Sequence, residues 1–200
     1  MSVILSAASS LDWASRAFGL ASTEAFLSLA EARNCPAESE IFVPYLSGER
    51  TPHNDANAQG VLFGLTQESA TAGIAQAVLE GVAFAFRDGM DALLATGATI
   101  DSISVIGGGT RSAYWGQIIC AVLERPLTYR DGGAVGPAFG AARLARMGLE
   151  NGSVAEICSA PPILQVIEPD RRLANHYSKR ISRYRALYRN LKDLFTETLH

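Results

Sequence analysis

The sequence predicts an α/β fold of packed helix and sheet layers, and three observations carry that expectation. The middle of the chain alternates apolar strand-like runs, glycine loops and helical periods: "DSISVIGGG", a helix over 112–123, "LTYRDGG", then "GPAFGAARLARMG". That order is how a sheet covered by helices is written in sequence. Residues 70–96 read as one long helix with apolar residues on two faces, which must be covered on more than one side. The composition, 48% hydrophobic and 18% charged over 200 residues, is that of a soluble domain large enough to bury a core.

Taken in order, residues 3–5 predict a short strand leading into a helix. Ser6 or Ser9 is its expected cap, and Leu11, Ala14 and Phe18 share one face. Thr23 is the expected cap of a second helix running to about Arg33, and "NCPAESE" is a loop. The stretch "IFVPYLSGERTPHNDANAQG" starts as a strand and becomes a long polar loop, because Pro44, Gly48 and Pro52 exclude a helix. A loop of that length in a compact domain is functional or disordered. Residues 61–65 predict another short strand. The long helix shows Ile74, Val78 and Ala85 on one face and Leu79, Val82, Phe86 and Leu93 on another, and Gly97 takes the C′ position. Pro137 sits in the first turn of the helix that follows the second glycine loop. Residues 150–169 read as irregular. In the terminal helix, 171–199, Tyr177, Ile181, Tyr184, Tyr188, Leu191, Phe195 and Thr198 follow heptad spacing. That stripe packs along the domain or forms the seam of a homodimer.

A net charge of −3 argues against a nucleic-acid or anionic-membrane partner, since both need clustered Lys and Arg. Cys35, Cys120 and Cys158 are odd in number, far apart and without a CxxC, so neither a disulfide framework nor a zinc site is implied and a reducing cytoplasm fits. "MSVILSAASS" has no basic stretch of the kind that opens a signal peptide. The most apolar run is interrupted by Glu80, Arg87, Asp88 and Asp91, so it reads as a buried helix and not a membrane span.

Gly107, Gly108 and Gly109 follow a strand and precede a helix that opens at Ser112. A strand that ends at a helix N-terminus gathers free backbone N–H groups at the positive end of the helix, and glycine lets a phosphate or nucleotide approach them. A tight turn would also use such glycines. The segment is neither a Walker A loop nor a dinucleotide fingerprint. A second loop, "RDGGAVGPAFGAA", with Gly133 and Gly136, repeats the arrangement after the next strand. In a parallel sheet the two loops would lie side by side, as the walls of a nucleotide slot. Gly140 reads as close helix packing. Glu49 and Arg50 are either catalytic or pin their loop by a salt bridge, and His53 lacks a partner at ligand spacing. Asp12, Asp55, Asp91 and Asp131 are eligible for acid–base work by type, and none has a context that singles it out.

The segments "PYLSGERTPHNDANAQGVLFGLT", "AVLEGVAFAFRDGMDALLATG", "IGGGTRSAYWGQIICAVLERPL" and "GGAVGPAFGAARLA" resemble the C-terminal lobe of the FGGY carbohydrate kinases over nearly the whole chain. Gly60, Gly64 and Leu65, with Glu80 further on, match the C-terminal signature of that family; Gly73 departs from the polar residue usual there, as a variation at a helix start. The "GERTPHN" wording points to the xylulokinase branch. The resemblance implies an actin-like, ribonuclease H-like fold, with residues 1–200 as the C-terminal domain of a two-lobed kinase that transfers a phosphoryl group from Mg-ATP to a sugar. It places the adenine and ribose of ATP on Gly107, Gly108, Gly109 and Ser112, with Gly133 and Gly136 in a weaker role. It also implies that the sugar pocket, the Mg2+ ligands, the catalytic base, the phosphate-gripping turn and the first strands of this lobe lie upstream in the family. ATP or ADP is therefore its expected partner, sugar is met only with that other lobe, and the chain alone is expected to lack kinase activity.

Overall fold

The computed structural model describes residues 1–108, 112–149 and 153–196. Helix α3 (Thr71–Leu94) is the axis on which the rest is assembled, and every residue from Gly73 to Ala85 is buried. Helices α1 (Ala8–Ala17), α2 (Thr23–Arg33), α4 (Ala113–Leu123) and α7 (Arg171–Phe195), and strand β1 (Ile41–Val43), all pack against it. The two apolar faces read from the sequence are thus covered by different neighbours. β1 pairs antiparallel with β2 (Val61–Phe63). A second sheet has β3 (Ile103–Val105) parallel to β4 (Leu127–Arg130), with β5 (Ile163–Ile167) antiparallel on the far side of β4. Met90, Cys120, Leu123, Leu127, Tyr129 and Ile167 join α3 and α4 to that sheet.

Several boundaries differ from the sequence expectation. Residues 3–5 form no strand; instead the Val3 N–H donates to Thr51 Oγ1 at 3.0 Å and the Thr51 N–H returns to the Val3 carbonyl at 3.1 Å. Neither Ser6 nor Ser9 caps α1, whose N-cap is Ala7. Ser22, not Thr23, caps α2, its hydroxyl accepting from the Ala25 N–H at 3.2 Å. Ala95 is the C-cap of α3, so Gly97 falls one place beyond C′. Gly73 does lie in the first turn of α3, where a Cβ would press on Glu40 Oε1 at 3.2 Å. The stretch read as irregular holds α6 (Val154–Ile157) and β5. Four of the five β5 residues are exposed, so no inside–outside alternation marks that strand in the sequence.

The heptad stripe of α7 is used inside the chain. Tyr177, Tyr184 and Phe195 are buried in the main core, and Ile181, Tyr188 and Leu191 pack against it; Thr198 lies outside the described residues. Polar contacts fix the helix in register. Arg180 donates to Glu80 Oε2 at 3.0 Å and to the carbonyls of Glu38 and Glu40 at 2.7 and 2.6 Å. Glu80 also accepts from the Ala37 N–H at 2.8 Å and Gln76 Nε2 at 2.9 Å, and Gln76 in turn accepts from the Tyr114 hydroxyl at 2.7 Å. The long polar loop is clasped to the same helix: His53 stacks on Tyr188 with centroids 3.6 Å apart, its Nε2 lies 3.0 Å from the Tyr45 hydroxyl, and Tyr188 donates to Asp55 at 2.9 Å. Among the described residues no helix is long and apolar enough to cross a membrane.

Two outcomes follow from these contacts. Arg180→Met strands the buried Glu80 carboxylate and should cost about 3 kcal/mol in urea unfolding, whereas Arg16→Met, in an exposed pair with Asp12 at 2.8 Å, should cost under about 0.5 kcal/mol. Burial pushes the His53 imidazole below its ordinary value of 6.5, against a weaker opposite pull from Asp55. The unfolded chain therefore takes up this proton first, so the stability gained from neutral His53 is complete above pH 6.5 and is lost on acidification toward the lower folded value. The difference in unfolding midpoint between wild type and His53→Gln should shrink as pH falls through that window.

Candidate functional site

Because β3 and β4 run parallel, the loops that follow them leave the sheet at the same edge. They touch there: the Gly107 N–H donates to the Gly133 carbonyl at 2.8 Å, and the Gly136 N–H donates to the same oxygen at 3.1 Å. Gly133 opens a 3-10 turn, Gly133–Val135. Gly107 has φ +82°, and Gly136 has φ +62° with ψ −138°, a region that only glycine occupies without strain. These glycines therefore have a reason within the chain. Gly108 does not. A Cβ built there meets no atom within 4 Å, so no neighbour in the described chain requires glycine. Gly109 lies outside the described residues. Ser112 is the N-cap of α4, its hydroxyl accepting from the Trp115 N–H at 3.1 Å.

A cleft of about 580 Å³ opens beside Gly108 and Ser112, between α1, α2 and the start of α4. Leu11, Leu27 and Trp115 give it apolar walls. The Trp115 ring is fixed, because its indole N–H donates to the Leu79 carbonyl at 3.2 Å. Helix α2 lends the cleft one face, spaced Thr23, Glu24, Leu27, Ser28 and Glu31. Sequence reading placed the glycines and Ser112 at a site and missed the α1 and α2 walls. Those helices arrive by tertiary packing on α3, for which no local motif exists. Gly107, Gly133 and Gly136 do not line the cleft; they build the paired turns that carry Gly108.

The other sequence candidates do not converge here. Glu49 is buried and pins its loop, with Oε1 accepting from the N–H groups of Arg50 at 2.6 Å and Leu5 at 3.4 Å, not through a salt bridge to Arg50. Burial pushes its carboxyl above the usual range. Asp12 pairs with Arg16, Asp55 with Tyr188, and Asp91 with Arg87 and Arg185; neither these nor Asp131 lines the cleft. The packing expected at Gly140 is absent: a Cβ there meets nothing within 4 Å, and no residue of α5 (Pro137–Leu149) is buried. Among the described residues no group of three or more His, Cys, Asp or Glu could hold a metal ion.

The family model for the C-terminal domain of the FGGY family of carbohydrate kinases matches residues 3–149, which include both glycine loops and α1 to α5. The chain belongs to the FGGY carbohydrate kinases. It is 46% identical over 195 residues to a xylulose kinase of Escherichia coli strain K12, an alignment covering 97% of this chain and 40% of that one. Among solved structures it is similar to a xyloylose kinase from Brucella ovis, with TM-score 0.86 and 42% identity over 97% of this chain and 40% of that one. It is also similar to a gluconate kinase from Lactobacillus acidophilus, with TM-score 0.75 and 30% identity over 91% of this chain and 37% of that one. The expected actin-like, ribonuclease H-like fold of the C-terminal lobe is thereby met. The chain spans about 40% of the length of these kinases.

The contrast between the glycines of this FGGY lobe can be measured. Gly108→Ala should leave stability within about 0.5 kcal/mol of wild type. Gly136→Ala should lose about 1–3 kcal/mol through its backbone angles. Urea unfolding monitored by tryptophan fluorescence reads both.

Proposed function

We propose that residues 1–200 act as one C-terminal domain, the nucleotide-binding lobe of a kinase that phosphorylates D-xylulose to xylulose 5-phosphate. One observation carries the nucleotide part: Gly108 leaves open space over its backbone, at the mouth of an apolar cleft and at the N-terminus of α4. Adenine and ribose enter the cleft, and the phosphates lie at Gly107 and Gly108, toward Gly133 and Gly136; Gly109 is assigned with them on the family resemblance alone. Backbone N–H groups and the positive end of α4 suit that charge. Ser112 serves by capping α4. The xylulose assignment rests on relatives named xylulose kinase; the similarity to a gluconate kinase is what a different sugar in the same family would rest on.

The chemistry needs more than this lobe. Mg2+, when bound with ATP, would neutralise phosphate charge; the family resemblance is what puts its ligands in the remainder of the kinase. The sugar and the catalytic base belong there too. Two surfaces suit that remainder. β3 is an edge strand of its sheet, and an apolar groove of about 380 Å³ lies beside it, walled by Phe86, Met90, Leu93, Ile100 and Ile103. A homodimer through α7 is disfavoured because Tyr177, Tyr184 and Phe195 of its stripe are already buried in the core. We place the protein in the cytoplasm, with no nucleic-acid or membrane partner.

Calorimetric titration with Mg-ADP tests this reading. Binding by wild type that Gly108→Val loses, with both variants melting cooperatively, supports it. Binding that Gly108→Val keeps would overturn the glycine-turn assignment. Sugar-dependent ATP turnover by this chain alone would overturn the division of labour.

A further inference from the structure

Among the described residues, the ionisable side chains that line the cleft are Glu24 and Glu31, both from α2. Apolar Leu11, Leu27 and Trp115 make up much of the remaining wall. A carboxylate repels a phosphate, so the rim at Glu31 favours another part of a nucleotide. What a carboxylate does accept is a pair of hydroxyl donors, and a ribose carries two on adjacent carbons.

Glu24 and Glu31 are not equivalent. Glu24 stands in the first turn of α2, where its backbone carbonyl already receives the Ser28 hydroxyl at 2.9 Å, and it has a further partner of its own. Glu31 lies two turns further along the same face, at the exposed rim, and has no hydrogen-bond or ion-pair partner among the described residues. Phe26 and Ala30, on the opposite face of α2, are buried in the core, so the helix cannot rotate its acidic face away.

We infer that Glu31 is a specificity residue that reads the ribose of the bound nucleotide, its carboxylate accepting from the 2′ and 3′ hydroxyls. The inference rests on the proposed nucleotide role of this cleft. The same carboxylate turns the phosphates toward the glycine turns, so one side chain sets both sugar preference and polarity.

The test compares ADP with 2′,3′-dideoxy-ADP on the full chain, by calorimetry and, for weak binding, by ligand-observed NMR to millimolar nucleotide. Wild type should bind ADP about tenfold more tightly, the scale of a hydrogen bond to a charged group. Glu31→Ala should abolish that preference by weakening ADP alone, and Glu31→Gln should restore part of it. Glu68→Gln, which removes a carboxylate outside the cleft, should keep the full preference. Equal binding of both nucleotides by wild type, with Gly108→Val abolishing both, would overturn the ribose role and leave the nucleotide site standing. Tighter ADP binding by Glu31→Ala would make the residue a repulsive wall charge and also overturn it. If wild type binds neither nucleotide, both the site and the ribose role fall.

Discussion

A carboxylate buried inside the central helix constrains everything around it. Glu80 is fully enclosed, and burial pushes its carboxyl up, while Arg180, Gln76 and the Ala37 N–H pull the other way by stabilising the charge. Such a charge is costly to bury unless nearly all its acceptor positions are filled. Filling them forces three distant segments into place: the turn before β1 through Ala37, α7 through Arg180, and α4 through the Tyr114–Gln76 link. Since α2 leads directly into that turn, both long walls of the cleft are positioned by contacts that begin at α3. The shape of the cleft thus follows in part from how one buried charge is satisfied.

The glycine loops add a different kind of constraint. The Gly133 carbonyl takes two N–H groups, from Gly107 and Gly136, and so locks one loop against the other. Both partners have backbone angles that side chains resist, so the lock is available to glycine and costly to anything else. Gly108 profits from that rigidity without contributing to it. A ligand that lies on its backbone meets a surface already held in shape, which reduces what binding must spend on ordering.

Much of this was legible in the sequence. The long helix, the parallel pair of strands and the two glycine loops are strong local signals, and they meet in space as the periodicity implied. Other features failed for identifiable reasons. β5 lies at a sheet edge with an apolar, exposed run, so alternation could not mark it. The capping box of α6, in which Ser153 and Glu156 satisfy each other's backbone N–H groups, is written in the sequence, but the single turn of helix after it is too short to carry a periodic signal. The mistaken strand at 3–5 shows apolar composition without a neighbour to pair with. The α1 and α2 walls could not have been found locally, because α2 joins the cleft only through Phe26 and Ala30 packing in the core.

The surfaces left uncommitted complete the physical picture. Ile106 is 61% exposed, Leu144 68% and Leu164 69%, and the whole of α5 is unburied. Ile106 directly follows β3 and Leu164 lies in β5, so exposed apolar side chains stand at both edges of this sheet. Meanwhile the cleft is walled by α1, α2 and α4, which pack on α3. On the proposed reading, affinity for a nucleotide and competence for transfer depend on different parts of the kinase: the first on the α1–α2–α4 side, the second on bringing the sugar, the metal and the base within reach of the γ-phosphate.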